Sequence, residues 1–193
     1  DDERREAVES GVRETLERFG AIPGVRAAAA AQGVMFDDWS MDTVVRRPGA
    51  SRALPARLKY VRGAYVQASG GRVISGREPS VSQGDGMSEV LVNRALAARL
   101  WPETAGTGER IVVMGRSAPS VVAGVLADAF EIGLDEEPPP TVYIYSGKDL
   151  AQRLPVHFLI DGPQLSDHDA ANVISATAGG PAVLEVSTVG RRL

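Results

Sequence analysis

The chain has 193 residues, of which 44% are hydrophobic, 24% charged and only 5% aromatic, with a formal net charge of −4 and no cysteine. That length holds one domain or two small ones sharing a core, and so few aromatics mean a core built from Val, Leu, Ile and Ala. The absence of cysteine excludes disulfides, thiolate catalysis and cysteine metal sites; the mildly acidic charge without a basic stripe in the sequence argues against a nucleic-acid footprint and disfavours an anionic membrane surface; and no run reaches the roughly 20 apolar residues of a membrane span.

Asp2 to Phe19 has the pattern of an amphipathic helix, with Val8, Val12, Leu16 and Phe19 on one stripe. Acids stand at its start and Arg18 near its end, as the helix dipole favours. Gly20 and Pro23 end it. Val25 to Gln32 is an apolar run containing consecutive alanines, which suit a helix as well as a strand; the bracketing Gly24 and Gly33 favour a strand. Val34 to Pro55 shows no clear period and is expected to be a loop. It nevertheless carries Met35, Phe36, Trp39 and Met41, so it either folds back on the body or forms a partner or cargo contact.

Arg57 to Val61 alternates charge and bulk, as a half-exposed strand does. Gly63 to Ala68 is a short turn or helix presenting Tyr65 and Val66, and SGGRVISGRE follows as turn, strand and turn. Pro79 to Gly86 is polar. In the next stretch Val90–Val92 form an extended run, Asn93 is placed to cap a short helix carrying Leu96 and Leu100, and Pro102 stops that helix. Gly106 and Gly108 open a turn into two β-branched runs, Ile111–Val113 and Val121–Leu126. An acidic, proline-rich corner (Asp135–Pro140) leads to a strand over Thr141–Tyr145. Lys148 to Arg153 is a polar connector and Val156 to Ile160 a strand. Ser166 to Ala178 is a helix with Ser166 and Asp169 in capping-box spacing, and Ala182 to Val189 is a final strand.

Patterns for chemistry are scarce. His157 and His168 lack metal-ligand spacing, and His168 between Asp167 and Asp169 is better explained as an acidic helix start. Asp128, Glu131, Asp135, Glu136 and Glu137 lack the alternation and central glycine of a calcium loop. GRSAPS is not a nucleophile elbow, and the glycine pair in SGGRVISG lacks the Lys-Ser/Thr of a phosphate loop. The residues alone therefore point to a non-enzymatic α/β domain.

The ordered series ERFGAIPGVRAAAAA, YVRGAYVQASGGRVISGRE, VLVNRALAARLWP, TGERIVV, VVAGVLAD, GLDEEPPPTVYIY and LEVSTVGRRL resembles the MacB-like periplasmic core domain of MacB/FtsX-type ABC-transporter permeases. The resemblance covers nearly the whole chain in order. It implies a mixed α/β (α+β) fold with a porter-like subdomain made from the two chain ends, 1–60 and 149–193, and a central mixed subdomain over 61–148. It also implies a piece of a larger membrane protein, inserted between the first two transmembrane helices on the extracytoplasmic side of the bacterial inner membrane. No catalytic, metal-binding or cofactor residue transfers from that family, and ATP is expected on a separate nucleotide-binding domain. The implied partners are the permease's own transmembrane helices, a cytoplasmic ATPase subunit or domain and a second permease copy, with a periplasmic adaptor or cargo beyond them. A stand-alone extracytoplasmic ligand- or peptide-binding module is the alternative, with Met35, Phe36, Trp39 and Met41 lining its site.

Overall fold

In the computed structural model, residues 2–32, 41–79, 88–128, 138–146, 149–150 and 156–176 are described. The elements in order are α1 (Asp2–Gly20), β1 (Ala27–Ala31), β2 (Met41–Arg46), β3 (Leu54–Gly63), α2 (Tyr65–Ala68), β4 (Val73–Gly76), β5 (Glu89–Asn93), α3 (Arg94–Leu100), β6 (Arg110–Val113), β7 (Ser120–Leu126), β8 (Thr141–Tyr145), β9 (His157–Asp161) and α4 (Asp167–Ser175). The fold class is mixed α/β, with parallel and antiparallel pairs in one sheet.

The sheet contains a closed ring. Strand pairing runs β2–β6–β7–β5–β8–β3, and β3 pairs back to β2. Six strands thus form a small barrel, which satisfies strand edges by closure. Its inward side chains, among them Val45, Leu58, Val90, Val92, Ile111, Val113, Val122, Val142 and Ile144, share one cluster with Leu96, Leu100 and Trp101 of the α3 segment. Beyond the ring, the edge of β3 that holds β2 also holds β1, and β1 in turn holds β9.

β1 pairs on both edges, which settles the alanine run as a strand. Ala30 joins the cluster that receives Val12 of α1, whereas Ala29 and Ala31 join a second cluster with Tyr65 and Val66 of α2. Alanine has modest β-propensity, but its small side chain lets a helix approach each face. Val12 and Phe19 of α1 are buried, Val8 and Leu16 pack beside them, and the ring of Phe19 lies 5.8 Å from that of Phe158 on β9. Arg62 is buried on β3 and donates to Glu9 of α1 over 3.1 Å. Gly63, at φ +80°, ends β3 where a Cβ would lie 2.6 Å from the Ala28 carbonyl oxygen, so only glycine fits there.

Three expectations change. The segment expected to be a loop contains a strand, β2, in which Thr43 and Val45 face the core. Valines at both 44 and 45 hide the two-residue period that Asp42 and Arg46 would otherwise reveal. The strand at Arg57 to Val61 is not half-exposed: β3 has neighbours on both edges, and Lys59 and Arg62 are buried with it. Finally, the connector after β8 is not wholly polar in role, because Leu150 is fully buried in the main cluster. Among the described residues, no helix is long and apolar enough to cross a membrane.

One side chain ties the ring to its helix. Asn93, 2% exposed, accepts the Leu96 N–H at 3.0 Å and the Thr141 N–H at 2.9 Å on Oδ1, and donates through Nδ2 to the Pro139 carbonyl at 2.8 Å. It therefore caps α3 and clamps the start of β8. Asp128 completes this corner, accepting the Ala95 N–H at 2.9 Å and facing Arg94 at 3.3 Å. Asn93→Ala loses all three bonds and leaves buried groups unpaired, with an expected destabilisation of about 3 kcal/mol in denaturant unfolding. Asn93→Ser keeps the cap and is expected to recover about 1 kcal/mol of that loss.

Candidate functional site

Met41, the one residue of the anticipated contact cluster that is described, begins β2 opposite Leu58. It is partly buried and packs against the barrel core. Met35, Phe36 and Trp39 lie outside the described residues. The anticipated cluster thus has one member anchored at the edge of the core.

The histidines sit on different elements. His157 starts β9 opposite Ala31, and His168 is exposed in the first turn of α4. Ser166 caps that helix, its hydroxyl accepting the Asp169 N–H at 3.1 Å and donating to the Asp169 carboxylate at 2.7 Å. Among the described residues, no group of three His, Cys, Asp or Glu side chains is placed to hold a metal. Of the acidic corner, Asp128 is committed to α3, while Glu131, Asp135, Glu136 and Glu137 lie outside the described residues.

The structure does form a groove that the sequence reading missed. It is an open hollow of about 380 Å³ between α3 and β4, lined by Ile74, Arg94, Ala97, Ala98, Trp101 and Val125. Ile74 is 39% exposed because β4 shifts register against β7 between Val73 and Ser75. Such a bulge re-aims a side chain. Trp101 is 2% exposed, and its indole N–H has no acceptor among the described residues. Gly106 lies against the other edge of that ring: at φ +79°, a Cβ there would come within 2.9 Å of Trp101 Cε3. The small residues around Trp101 were the available signal, but alanine spacing alone does not distinguish a groove from a packed helix.

A second buried arrangement joins α2 to the barrel. Glu78 Oε1 accepts the Tyr145 hydroxyl at 2.6 Å and the Val66 N–H at 2.9 Å. Burial, then the hydrogen bond to Glu78, then the charge of that carboxylate push the Tyr145 phenol far above its ordinary value. The phenol therefore serves as a fixed donor, and Tyr65 stacks at a tilt on Tyr143 beside it, with ring centres 5.7 Å apart. These contacts hold α2 and the segment at Glu78 against the barrel.

Because the folded state raises the Tyr145 pKa, this contribution is complete below the unfolded tyrosine value of about 10 and is lost as pH rises above it. Tyr145→Phe is expected to destabilise the protein by about 2 kcal/mol at neutral pH and to flatten the decline in stability above about pH 10. Thermal unfolding across that range measures both effects.

No family model matches the chain, and no curated protein matches it. The likeness is one of fold. Solved extracytoplasmic domains of ABC-type transporters share it. The extracellular domain of the noncanonic ABC-type transporter YknZ from Gram-positive bacteria matches with a TM-score of 0.56 and 15% identity, over 88% of this chain and 85% of that one. The periplasmic region of MacB from Actinobacillus actinomycetemcomitans matches with a TM-score of 0.59 and 11% identity, over 84% of this chain and 72% of that one. The fold is thus that of the MacB-like periplasmic domain.

Proposed function

We propose that the chain is the extracytoplasmic domain of an ABC-transporter permease, non-catalytic in itself, which couples movement of membrane helices to the handling of cargo or a partner. The observation that carries this reading is the shared fold over more than four-fifths of the chain, in two domains of that origin. In this reading the domain lies on the outer side of the cell membrane, and ATP is bound and hydrolysed by a separate cytoplasmic domain or subunit. A second permease copy and a periplasmic adaptor are further proposed partners. The two-part division, 1–60 with 149–193 against 61–148, is proposed as the way the chain ends and the middle share the work.

Coupling requires only that the domain's contacts differ between two states of the transporter. The native coding sequence is expected to continue, on each side of this segment, into apolar runs of about 20 residues. An uninterrupted reading frame without such spans would overturn the assignment. In the reconstituted parent transporter, alanine at Phe36 and Trp39 is expected to lower transport while ATP hydrolysis persists, because these residues are proposed contacts and not part of the motor. Met41→Ala should instead lower thermal stability, by about 1–3 kcal/mol, as a core-edge truncation does.

A further inference from the structure

The barrel has an outer wall whose composition differs from the rest of the chain. On β2 the outward side chains are Asp42, Val44 and Arg46, because Thr43 and Val45 are buried inward. On β6 they are Arg110 and Val112, and Met114 continues the same alternation. Register places these residues side by side: Val45 pairs with Val113, Arg46 with Val112, and the Met114 N–H donates to the Val44 carbonyl at 2.9 Å. Val44 is also opposite Pro55 on β3, and Arg110 is opposite Val121 on β7. Four strands therefore present a continuous strip of partly exposed valines and an exposed proline. Met114, 63% exposed, stands out from that strip.

Arginines surround this strip. Arg46 and Arg110 lie within it, and the β2–β3 hairpin that extends from it carries Arg47 and Arg52, both exposed. Within 41–57 and 109–114 there are five arginines and two carboxylates, although the whole chain has a net charge of −4. The positive charge is thus concentrated where apolar side chains are left uncovered.

We propose that this wall of the barrel rests on an anionic phospholipid surface. The guanidinium groups would meet head-group phosphates, for which their planar fork is suited, while Met114 and its valine neighbours would enter the interfacial layer. Charge complementarity favours this occupant: guanidinium groups interleaved with uncovered valines and Met114 match a surface that offers phosphates over an apolar layer. The inference stands on the wall alone and does not depend on the transporter reading.

Cosedimentation of the domain with vesicles tests it. At low ionic strength the protein is expected to bind vesicles of phosphatidylglycerol mixed with phosphatidylcholine and to leave pure phosphatidylcholine vesicles unbound, with binding lost as salt is raised. Replacing exposed side chains in Arg47→Gln/Arg52→Gln/Arg110→Gln is expected to lower the partition coefficient about a hundredfold, given roughly a factor of five for each arginine near an anionic surface. The circular dichroism spectrum and melting temperature should stay as in the parent. Met114→Gln is expected to weaken binding severalfold without changing its salt dependence. Equal sedimentation with both vesicle types, absence of binding at low salt, or full binding by the triple arginine variant would each overturn the proposal. Binding of an acidic protein to this wall, without vesicle binding, would overturn it in the same way.

Discussion

The sharing of one strand edge governs this architecture. Along a single side of β3, residues 54–58 pair with β2 and residues 61–63 pair with β1, while its other side pairs with β8. The first contact closes the barrel and the second begins the sheet that carries β9. A strand of ten residues is therefore common to both parts. Inter-strand hydrogen bonds tolerate little sliding where side chains alternate between two filled faces, because a one-residue slip would exchange those faces. β3 thus fixes the sheet relative to the barrel, and the Glu9–Arg62 pair fixes α1 to the same strand.

Burial follows from this arrangement. β8 is next to β3 and is covered on both faces, with Val142 and Ile144 turned toward the barrel interior and Tyr143 and Tyr145 toward α2. Its run of β-branched and aromatic residues, TVYIY, is what such a position requires. The same logic explains why Arg62 is tolerated on a buried strand: a guanidinium needs a partner when it leaves water, and α1 brings Glu9 to it.

Much of this was legible in the sequence. The stripe on α1, the strand at Thr141–Tyr145 and the caps at Asn93 and Ser166 were readable because each depends on a local pattern or one side chain. The second task of Asn93, its hold on Pro139 and Thr141, was not legible, because those partners meet it only through pairing across the sheet. β2 was missed for a related reason: its adjacent valines blur the alternation, and its strand identity comes from β3 and β6 on its two sides. The groove beside Trp101 depends on a register shift between β4 and β7, which no residue announces. The cluster anticipated around Met35, Phe36, Trp39 and Met41 rests on composition alone, and the packing of Met41 shows how an apolar side chain in an apparent loop can belong to a strand.

The order in which the pairs can form has a consequence for folding. Arg57 pairs with Thr141, and Ala27 with Asp161, so β3 and β1 must wait for distant chain to reach them. The hairpin of β2 and β3 needs no such delay. Contacts this remote slow folding, since the intervening loops must be ordered before the pairing rewards them. During synthesis, β1 and β3 therefore emerge well before their second partners, with unpaired edges. Those edges can pair with other chains as readily as with their own. Arg57, Lys59 and Arg62 place cations along β3, a composition that discourages such pairing until β8 arrives.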